Sequence, residues 1–304
     1  MLNRKLICAG LSFLMILPLG ACSGNADKPQ TVDEDDHSDE DDSKEPTIAE
    51  PEKEEFSGET PVDNEYVTLS LSSITEDLST DTYIWHAQLD NKSDQTVVTS
   101  IRGLSVNDFV ISSPEFDGTL SAGESSTVEI TFNGSDLVKN DIIEVAKASF
   151  DFYVSDEAGN TLKTDSAVIY PYGEAYYQRP ERVRFTEEQT IFDNEYGTLI
   201  VTGFDSYQYQ YETSIYFDNK SGQPLILDIT DESGYTKSFI DGEESMETNI
   251  GISYVPADQR TNTEIAMVIG EESKEAAEVS FVFTLRNPED SSIVYSESVN
   301  VIPW

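Results

Sequence analysis

The sequence predicts an all-β fold in which two tandem immunoglobulin-like antiparallel β-sandwich domains follow a signal peptide and a disordered acidic linker. Three observations carry this prediction: apolar and polar residues alternate in many short segments, turn sequences separate those segments, and the second half of the chain repeats the first. Strict alternation is typical of strands with one buried face. The expected divisions are a lipoprotein signal peptide (1–21), a lipidated cysteine with an acidic linker (22–60), and two sandwich domains (61–172 and 173–304).

Each predicted strand has its apolar side chains on one face. In the first half the alternating segments are 66–71, 83–89, 126–132 and 148–154. In the second half, alternation places one face along Val279, Phe281, Phe283 and Leu285, and another along Tyr207, Tyr209, Tyr211, Thr213 and Ile215. Several short strands of this kind, separated by turn sequences, indicate a two-sheet sandwich.

The chain also repeats itself. The sequence Asp-Asn-Glu-Tyr at 63–66 recurs at 193–196, Asp-Asn-Lys-Ser at 90–93 recurs at 218–221, and Ser-Phe-Asp-Phe at 149–152 is answered by Ser-Phe-Val-Phe at 280–283. The offsets are 130, 128 and 131 residues, in the same order. A period of this length is too long for a solenoid and indicates a duplicated domain.

Other elements are few. Single helical turns are expected at 135–140 and 271–277. Segment 170–180 joins the two halves and contains two prolines and four tyrosines. It is too aromatic for a free linker, so we expect it to pack against one domain and limit the angle between the two.

The N-terminus has the features of an export signal. Basic residues Arg4 and Lys5 precede an apolar run over 6–19, which is short for a membrane-spanning helix. The run ends in Leu-Gly-Ala-Cys at 19–22, which resembles the lipobox of bacterial lipoproteins. This resemblance implies that Cys22 carries a lipid and that the protein is anchored at the extracellular face of the cell membrane. The alternative is an ordinary signal peptide with a chance cysteine.

An acidic segment follows the signal. It is polar and poor in aromatic residues, and its centre at 33–42 holds eight Asp and Glu residues. Such a segment cannot bury enough apolar area to offset its chain entropy, so we expect a disordered stalk. Calcium capture is the alternative, but the acidic run contains no glycine to turn its oxygens inward.

Composition limits the partners. The formal net charge is −41, which excludes nucleic acid and leaves the lipid as the contact with the membrane. The two cysteines are Cys8, inside the signal, and Cys22, so a mature chain has no thiol left for a disulfide. No cofactor is expected.

The repeated unit resembles domains found in tandem in cell-surface lipoproteins of Gram-positive bacteria. The residues that carry this resemblance are Asn-Lys-Ser at 91–93, Val-Asn at 106–107 and the turn glycine Gly123. The second copy keeps Asn-Lys-Ser at 219–221 but lacks a Val-Asn counterpart, so it is the more diverged. The resemblance implies a location and a fold, and no settled activity.

Few residues suggest catalysis. The two histidines are His37, in the predicted stalk, and His86, in a predicted strand, so a histidine-dependent nucleophile is not expected. With 59 acidic residues, a carboxylate pair at glycosidase spacing would arise on any fold.

The two tryptophans are expected to have structural roles. Trp85 is expected to lie in a core, and the terminal Trp304 is expected to hold the last strand in place.

The tyrosines Tyr207, Tyr209 and Tyr211 are the candidate ligand-contact residues, because an exposed aromatic stripe can stack on sugars or anchor a protein. The alternative is that they face a core or the domain junction. The sequence therefore predicts a non-catalytic binding or interaction module at the cell surface, with a surface protein or a glycan as partner. The alternatives are a cell-wall glycan-active enzyme that uses paired carboxylates, and a spacer within a surface complex.

Overall fold

The structure is a computed structural model that describes residues 52–77, 82–112, 116, 118–231, 233–269 and 278–303, without the side chains of Asp77 and Tyr207. The predicted signal peptide, Cys22, His37, the acidic run, the expected turn at 271–277 and Trp304 lie outside these residues. None of the helices in the described ranges combines the length and the apolar character that crossing a membrane requires.

The described residues of the first half of the chain form nine strands and one short helix. The strands are β1 (Glu59–Asp63), β2 (Val67–Asp77), β3 (Thr82–Asn91), β4 (Val97–Val106), β5 (Phe109–Val110), β6 (Gly118–Leu120), β7 (Ser125–Asn133), β8 (Ala148–Ser155) and β9 (Thr161–Ile169). The helix α1 spans Gly134–Lys139, close to the predicted turn at 135–140, and the Asn133 side chain caps it by accepting from the Ser135 N–H.

In the second half, the part of the chain that the structure describes adds eleven strands after a 3₁₀ turn at Glu174–Tyr176. They are β10 (Gln189–Asp193), β11 (Gly197–Tyr207), β12 (Gln210–Asn219), β13 (Leu225–Asp228), β14 (Ser238–Ile240), β15 (Glu243–Glu244), β16 (Glu247–Ile250), β17 (Tyr254–Val255), β18 (Arg260–Val268), β19 (Val279–Arg286) and β20 (Ile293–Val301).

Strand order confirms the predicted fold class. In the first sandwich, β1-β2-β3-β7 form one sheet, and β4, β8 and β9 pair in order in the facing sheet. The second sandwich repeats this with β10-β11-β12-β18 opposite β13, β19 and β20. In both, the chain crosses to the second sheet, returns, and crosses again, which is the Greek-key connection of immunoglobulin-like sandwiches.

Each sandwich encloses a hydrophobic core. Alternate residues of β8, including Phe150 and Phe152, are buried as the sequence pattern predicts. Trp85 is fully buried, as predicted, with its ring centroid 5.4 Å from that of Phe132 in an edge-on contact. The second core centres on Phe217 and Phe283, whose ring centroids are 6.2 Å apart. Apolar burial in two separate layers therefore stabilises the fold.

The repeated sequences occupy equivalent positions in the two sandwiches. The Asn91 side chain donates to the carbonyls of Gln95, Leu120 and Ser121, and accepts from Ser93. Asn219 makes the same set of bonds, to the carbonyls of Gln223, Val255 and Pro256, and accepts from Ser221. Both amides are buried. Each therefore satisfies backbone carbonyls that would otherwise lack partners inside a sandwich.

One end of the predicted disordered linker is ordered. The sequence predicts a linker over 22–60, but β1 begins at Glu59, the Glu54 N–H donates to the Tyr172 carbonyl at 3.2 Å, and Lys53 pairs with Glu144. Phe56 packs against the first core. The many glutamates around this single apolar residue gave the segment the composition of a disordered chain.

Candidate functional site: the junction of the two sandwiches

The junction begins at a buried hairpin turn between β4 and β5. The turn residues Asn107 and Asp108 have φ of 49° and 68°, left-handed values that Asn and Asp tolerate better than other side chains. Asn107 holds the turn in place, because its amide donates to the Glu144 carbonyl at 2.8 Å and its oxygen accepts from the N–H groups of Ala146 and Lys147 at 3.0 Å. The turn is thereby fixed against the segment that enters β8.

The Asp108 carboxylate is the centre of the junction. It is 5% exposed and accepts hydrogen bonds from Lys147 Nζ at 2.6 Å and from the Tyr177 hydroxyl at 2.7 Å, while Arg179 Nε lies 3.3 Å away. Burial raises the pKa of Asp108, but these hydrogen bonds and the two cations outweigh burial and leave the pKa below its usual value. Burial and the bond to Asp108 raise the pKa of Tyr177. At neutral pH the site therefore holds an ionised carboxylate and a neutral phenol.

Arg260 brings the second sandwich to this turn. Its backbone N–H donates to the Asp108 carbonyl at 2.8 Å, where β18 and β5 meet in parallel. Its guanidinium donates to the carbonyls of Pro180 and Asn107 at 2.8 and 3.3 Å and lies over the Phe109 ring, 4.3 Å from the centroid. Through this contact, strands of both sandwiches belong to one ten-stranded sheet.

A second contact lies on the outer face of β4 and β8. The Tyr254 hydroxyl donates to Asp151 Oδ2 at 2.8 Å, and burial together with this bond raises the pKa of Tyr254. Gly103 lies beneath the Tyr254 ring with φ of +60°, and a Cβ there would approach Pro256 Cγ to 2.6 Å and Tyr254 Cε1 to 2.8 Å. A side chain at this position would push the two sandwiches apart.

The tyrosine-rich connector packs as the sequence predicts. Tyr170 contacts Tyr177, and Tyr172 contacts Tyr176, with ring centroids 6.0 and 5.7 Å apart. The Tyr176 hydroxyl donates to Glu144 at 2.9 Å, so these rings lie against the first sandwich. From the end of the connector, Arg179 reaches the second sandwich and donates to the Asp258 carbonyl at 3.2 Å.

Between these contacts a cleft of about 280 Å³ separates the two sandwiches. The first sandwich supplies Ser149, Asp151, Ser166 and Val168, and the second supplies Pro224, Pro256 and Gln259. The Asp151 carboxylate is engaged on both oxygens, by the hydroxyls of Ser166 and Tyr254. The cleft therefore combines an apolar surface with a few polar groups, as ligand sites do.

The three candidate tyrosines do not form the predicted stripe. Residues 207–215 are not one strand, because β11 ends at Tyr207 and β12 begins at Gln210, with Gln208 at φ of 53° in the turn. Tyr209 is 55% exposed in this turn, and Tyr211 is buried in the second core. The side chain of Tyr207 lies outside the described residues. Tyrosine favours strands in general, so alternation alone could not detect the two-residue turn.

The remaining sequence candidates have structural surroundings. His86 lies on a sheet face, with Nε2 at 3.0 Å from the Thr75 hydroxyl and Nδ1 at 3.2 Å from Glu129. Within the described ranges, His, Cys, Asp and Glu side chains form no group of three that could hold a metal ion. Cys22, the candidate lipid-attachment residue, lies outside them. The described site is therefore the junction and its cleft.

Sequence reasoning missed the residues that build the junction. Asn107 and Asp108 follow an alternating strand and form a recognisable hairpin signal, but nothing in the sequence shows that this turn is buried. Arg260 carries no local signal, because its partners Asn107 and Pro180 are distant in the chain. Only the folded arrangement of the two sandwiches brings them together.

Comparisons with known proteins add similarity of fold alone. No protein-family model matches the chain, and no curated protein matches it. Among solved structures, the chain is similar to the YadV chaperone at 10% identity and a TM-score of 0.25, over 77% of this chain and 99% of the other. A conserved domain protein from Bacillus anthracis gives 11% identity and a TM-score of 0.26, over 82% and 91%.

A third similar structure is the Salmonella enterica SafA pilin in complex with the SafB chaperone, at 10% identity and a TM-score of 0.23, over 79% and 98% of the two chains. TM-scores this low carry no argument about what this chain does. The fold assignment stands on its own strand order, and the function has to be argued from the junction.

Proposed function

We propose that this protein is a lipid-anchored extracellular lipoprotein whose paired sandwiches act as a non-catalytic binding or interaction module at the cell surface. The module presents surfaces from both sandwiches in one fixed arrangement. The lipid on Cys22 and the acidic stalk connect it to the membrane and hold it away from the bilayer.

The observation that carries this proposal is the buried polar junction. Two domains joined by a simple linker are expected to move relative to one another. Here Asp108, Tyr177, Arg179 and Arg260 connect both sandwiches through hydrogen bonds and ion pairs, in which Asp108 and Arg260 are buried, Tyr177 is half-buried and Arg179 is exposed. A fixed junction pre-organises a composite surface and lowers the entropy cost of binding a partner.

The residues of the cleft favour binding over glycan hydrolysis. A glycosidase needs two opposed carboxylates with free oxygens. Asp151 is the carboxylate among the described residues that line the cleft, and hydroxyl groups engage both of its oxygens. This arrangement supports a binding role in preference to the enzyme alternative.

Metabolic labelling tests the anchor. Cells that express the full chain are grown with a radioactive fatty acid, and we expect label on the protein and its loss in a Cys22→Ala variant. A Cys8→Ala variant is the matched control, because Cys8 would be removed with the signal. Label that persists in the Cys22→Ala variant would disprove lipidation at this cysteine.

Cross-linking on intact cells tests the module. We expect a specific partner to co-purify with the protein, and an Asp108→Asn variant to reduce its recovery by loosening the junction. An Asp241→Asn variant, altered in an exposed turn, should recover the partner in full. Recovery that is equal in all three proteins would show that the junction does not organise the binding surface, and would leave the spacer alternative as the better account.

A further inference from the structure

The second sandwich carries a depression of about 230 Å³ beside the junction cleft. Its wall is largely apolar, formed by Tyr196, Pro224, Leu225, Pro288 and Val294. Tyr196 is partly buried, and its ring centroid lies 5.6 Å from that of Tyr295. This aromatic pair fixes the ring that borders the depression.

Polar side chains on the rim are unengaged. Gln223 and Glu289 are exposed, and the hydrogen bonds among the described residues leave the Gln223 amide, the Glu289 carboxylate and Asn287 Nδ2 without partners. Asn287 Oδ1 accepts from the Glu289 N–H at 2.8 Å, which orients the Asn287 amide. The depression thus offers a flat apolar surface with hydrogen-bonding groups around it.

The first sandwich shares part of this lining and lacks the rest. Tyr66, Ser93 and Gln95 occupy the positions that match Tyr196, Ser221 and Gln223. The two prolines of the wall are absent from the first copy, in which Thr96 matches Pro224 and Glu157 matches Pro288, whereas Val97 and Leu162 keep the apolar character of Leu225 and Val294. Lys163 stands in place of Tyr295, the ring that packs on Tyr196. The divergence of the second copy has therefore made this position more apolar than it is in the first copy, by adding two prolines.

The depression adjoins the junction cleft, and Pro224 lines both. At about 230 and 280 Å³, each is smaller than the sites that enclose a whole drug-sized ligand. Two small hollows that share one wall suit a polymer, with one unit in each hollow.

We propose that this groove binds a neutral glycan chain, one sugar ring lying against Tyr196 and the next against the Pro224 side of the cleft. An aromatic ring surrounded by free amide and carboxylate groups matches the apolar faces and hydroxyl-rich edges of a sugar. Anionic polymers are disfavoured by a net charge of −41. A proline-rich peptide would need a row of aromatic rings, and the described groove presents one tyrosine. The inference rests on the proposed role as a surface binding module.

Isothermal titration of the full-length chain in detergent micelles tests the inference. The probes are the neutral tetrasaccharides tetra-N-acetylchitotetraose and cellotetraose, anionic poly(glycerol phosphate), and a proline-rich peptide. We expect at least one neutral tetrasaccharide to bind and the anionic polymer not to bind. Tyr196→Ala should weaken that binding at least tenfold, whereas Tyr66→Ala, at the matching position of the first copy, should leave it unchanged.

Tyr196 also packs against the second core, so its replacement could unfold the sandwich. Gln223→Ala changes an exposed side chain and should weaken binding about fivefold, with Gln95→Ala as its matched control. Thermal unfolding of each variant confirms that it is folded. Absence of binding to both neutral tetrasaccharides, equal losses at Tyr66 and Tyr196, or binding of the peptide in their place would overturn the inference.

The two proposals fail separately. A labelled, anchored protein that binds neither tetrasaccharide refutes the glycan groove and leaves the surface module in place. Glycan binding by a chain without lipid label supports the groove and refutes the anchor.

Discussion

The two sandwiches contain the same hairpin turn in opposite surroundings. In the first, Asn107 and Asp108 connect β4 to β5 with φ of 49° and 68° and are buried. In the second, Asp241 and Gly242 connect β14 to β15 with φ of 50° and 83° and are exposed. The backbone conformation is nearly the same, but only the first turn meets another sandwich.

This difference shows how a duplicated domain acquires a fixed neighbour. The turn itself needs no change, because a hairpin tip already presents backbone carbonyls and a carboxylate. Burial then requires cations for the carboxylate, and Lys147, Arg179 and Arg260 supply positive charge around the first turn. At the second turn, the Asp241 carboxylate accepts from the Glu278 N–H at 2.9 Å in an exposed position. The junction is therefore a matter of charge compensation more than of backbone shape.

The largest predicted effect comes from removing the charge of the buried turn and comparing the loss with that at the exposed turn. Asp108→Asn keeps a residue that tolerates positive φ but leaves Lys147 without its anion and Arg179 with Asp218 alone, at 3.5 Å, so we expect a loss of about 4 kcal/mol in the free energy of unfolding. Asp241→Asn, at the exposed counterpart, should change it by less than about 0.5 kcal/mol. Urea unfolding at neutral pH measures both. Similar losses in the two variants would contradict the role given to the junction.

Lowering the pH should reduce the difference in the free energy of unfolding between the original protein and the Asp108→Asn variant. Because the pKa of Asp108 is lower in the folded chain than in the unfolded one, the ionised carboxylate stabilises the fold at pH above its unfolded pKa of about 3.9. That contribution is lost as the pH falls below about 4 and through the folded pKa. Unfolding measured from pH 7 down to pH 3 should show the two proteins converging.

The second prediction concerns the buried asparagine amide that the two copies share. Asn91→Ala and Asn219→Ala each remove a buried amide that satisfies three backbone carbonyls. We expect each substitution to lower the free energy of unfolding by about 3 kcal/mol. Gln95→Ala and Gln223→Ala, two exposed positions in the same turns, are the matched controls and should be near neutral. Thermal unfolding of all four variants checks this. A clear inequality between the two asparagines would mean that the two buried networks are not energetically equivalent.

The third prediction separates contact from backbone strain. Gly103 and Gly123 both have positive φ, of +60° and +69°, but a Cβ at Gly123 would meet open space and one at Gly103 would meet Pro256 and Tyr254. Gly123→Ala should therefore cost about 1 kcal/mol for the left-handed backbone, and Gly103→Ala about 2 kcal/mol more for the displaced junction. Equal costs would mean that the sandwiches adjust freely at this contact.

Much of the fold could be predicted from the sequence, because strand periodicity is a local property. The alternation at 148–154 corresponds to β8, and the burial of Trp85 follows from its place in a strand of the same kind. The error over 207–215 has a local cause too, since tyrosines on both sides of a two-residue turn continue the alternation that a single strand would show.

The site was far less accessible to prediction, because its residues meet only through the tertiary fold. Asp108 contacts Tyr177 and Arg179 across some seventy residues of chain, and Arg260 contacts Asn107 across more than one hundred and fifty. The sequence suggested the connector through its tyrosines, but gave no means of pairing it with a particular turn. Ion pairs between residues that are far apart in the chain leave no periodic pattern in the sequence from which they could be predicted.

The smallest predicted effect concerns a single hydrogen bond between the sandwiches. Tyr254→Phe removes the hydroxyl that donates to Asp151 and should cost about 1.5 kcal/mol at neutral pH, the usual value for a bond to a charged acceptor. The pKa of Tyr254 is raised in the folded chain, so its neutral hydroxyl stabilises the fold below the unfolded pKa of about 10 and loses that contribution as the pH rises further.

The difference in the free energy of unfolding between the original protein and the Tyr254→Phe variant should therefore be smaller at pH 11 than at pH 7. Tyr209→Phe, in an exposed turn, is the control and should have no effect at either pH. A difference that stays constant between pH 7 and pH 11 would show that the ring, and not the hydroxyl, makes this contact. In that case the contact between Tyr254 and the first sandwich would depend on packing over Gly103 alone. The part of the junction that depends on charge would then be the site around Asp108.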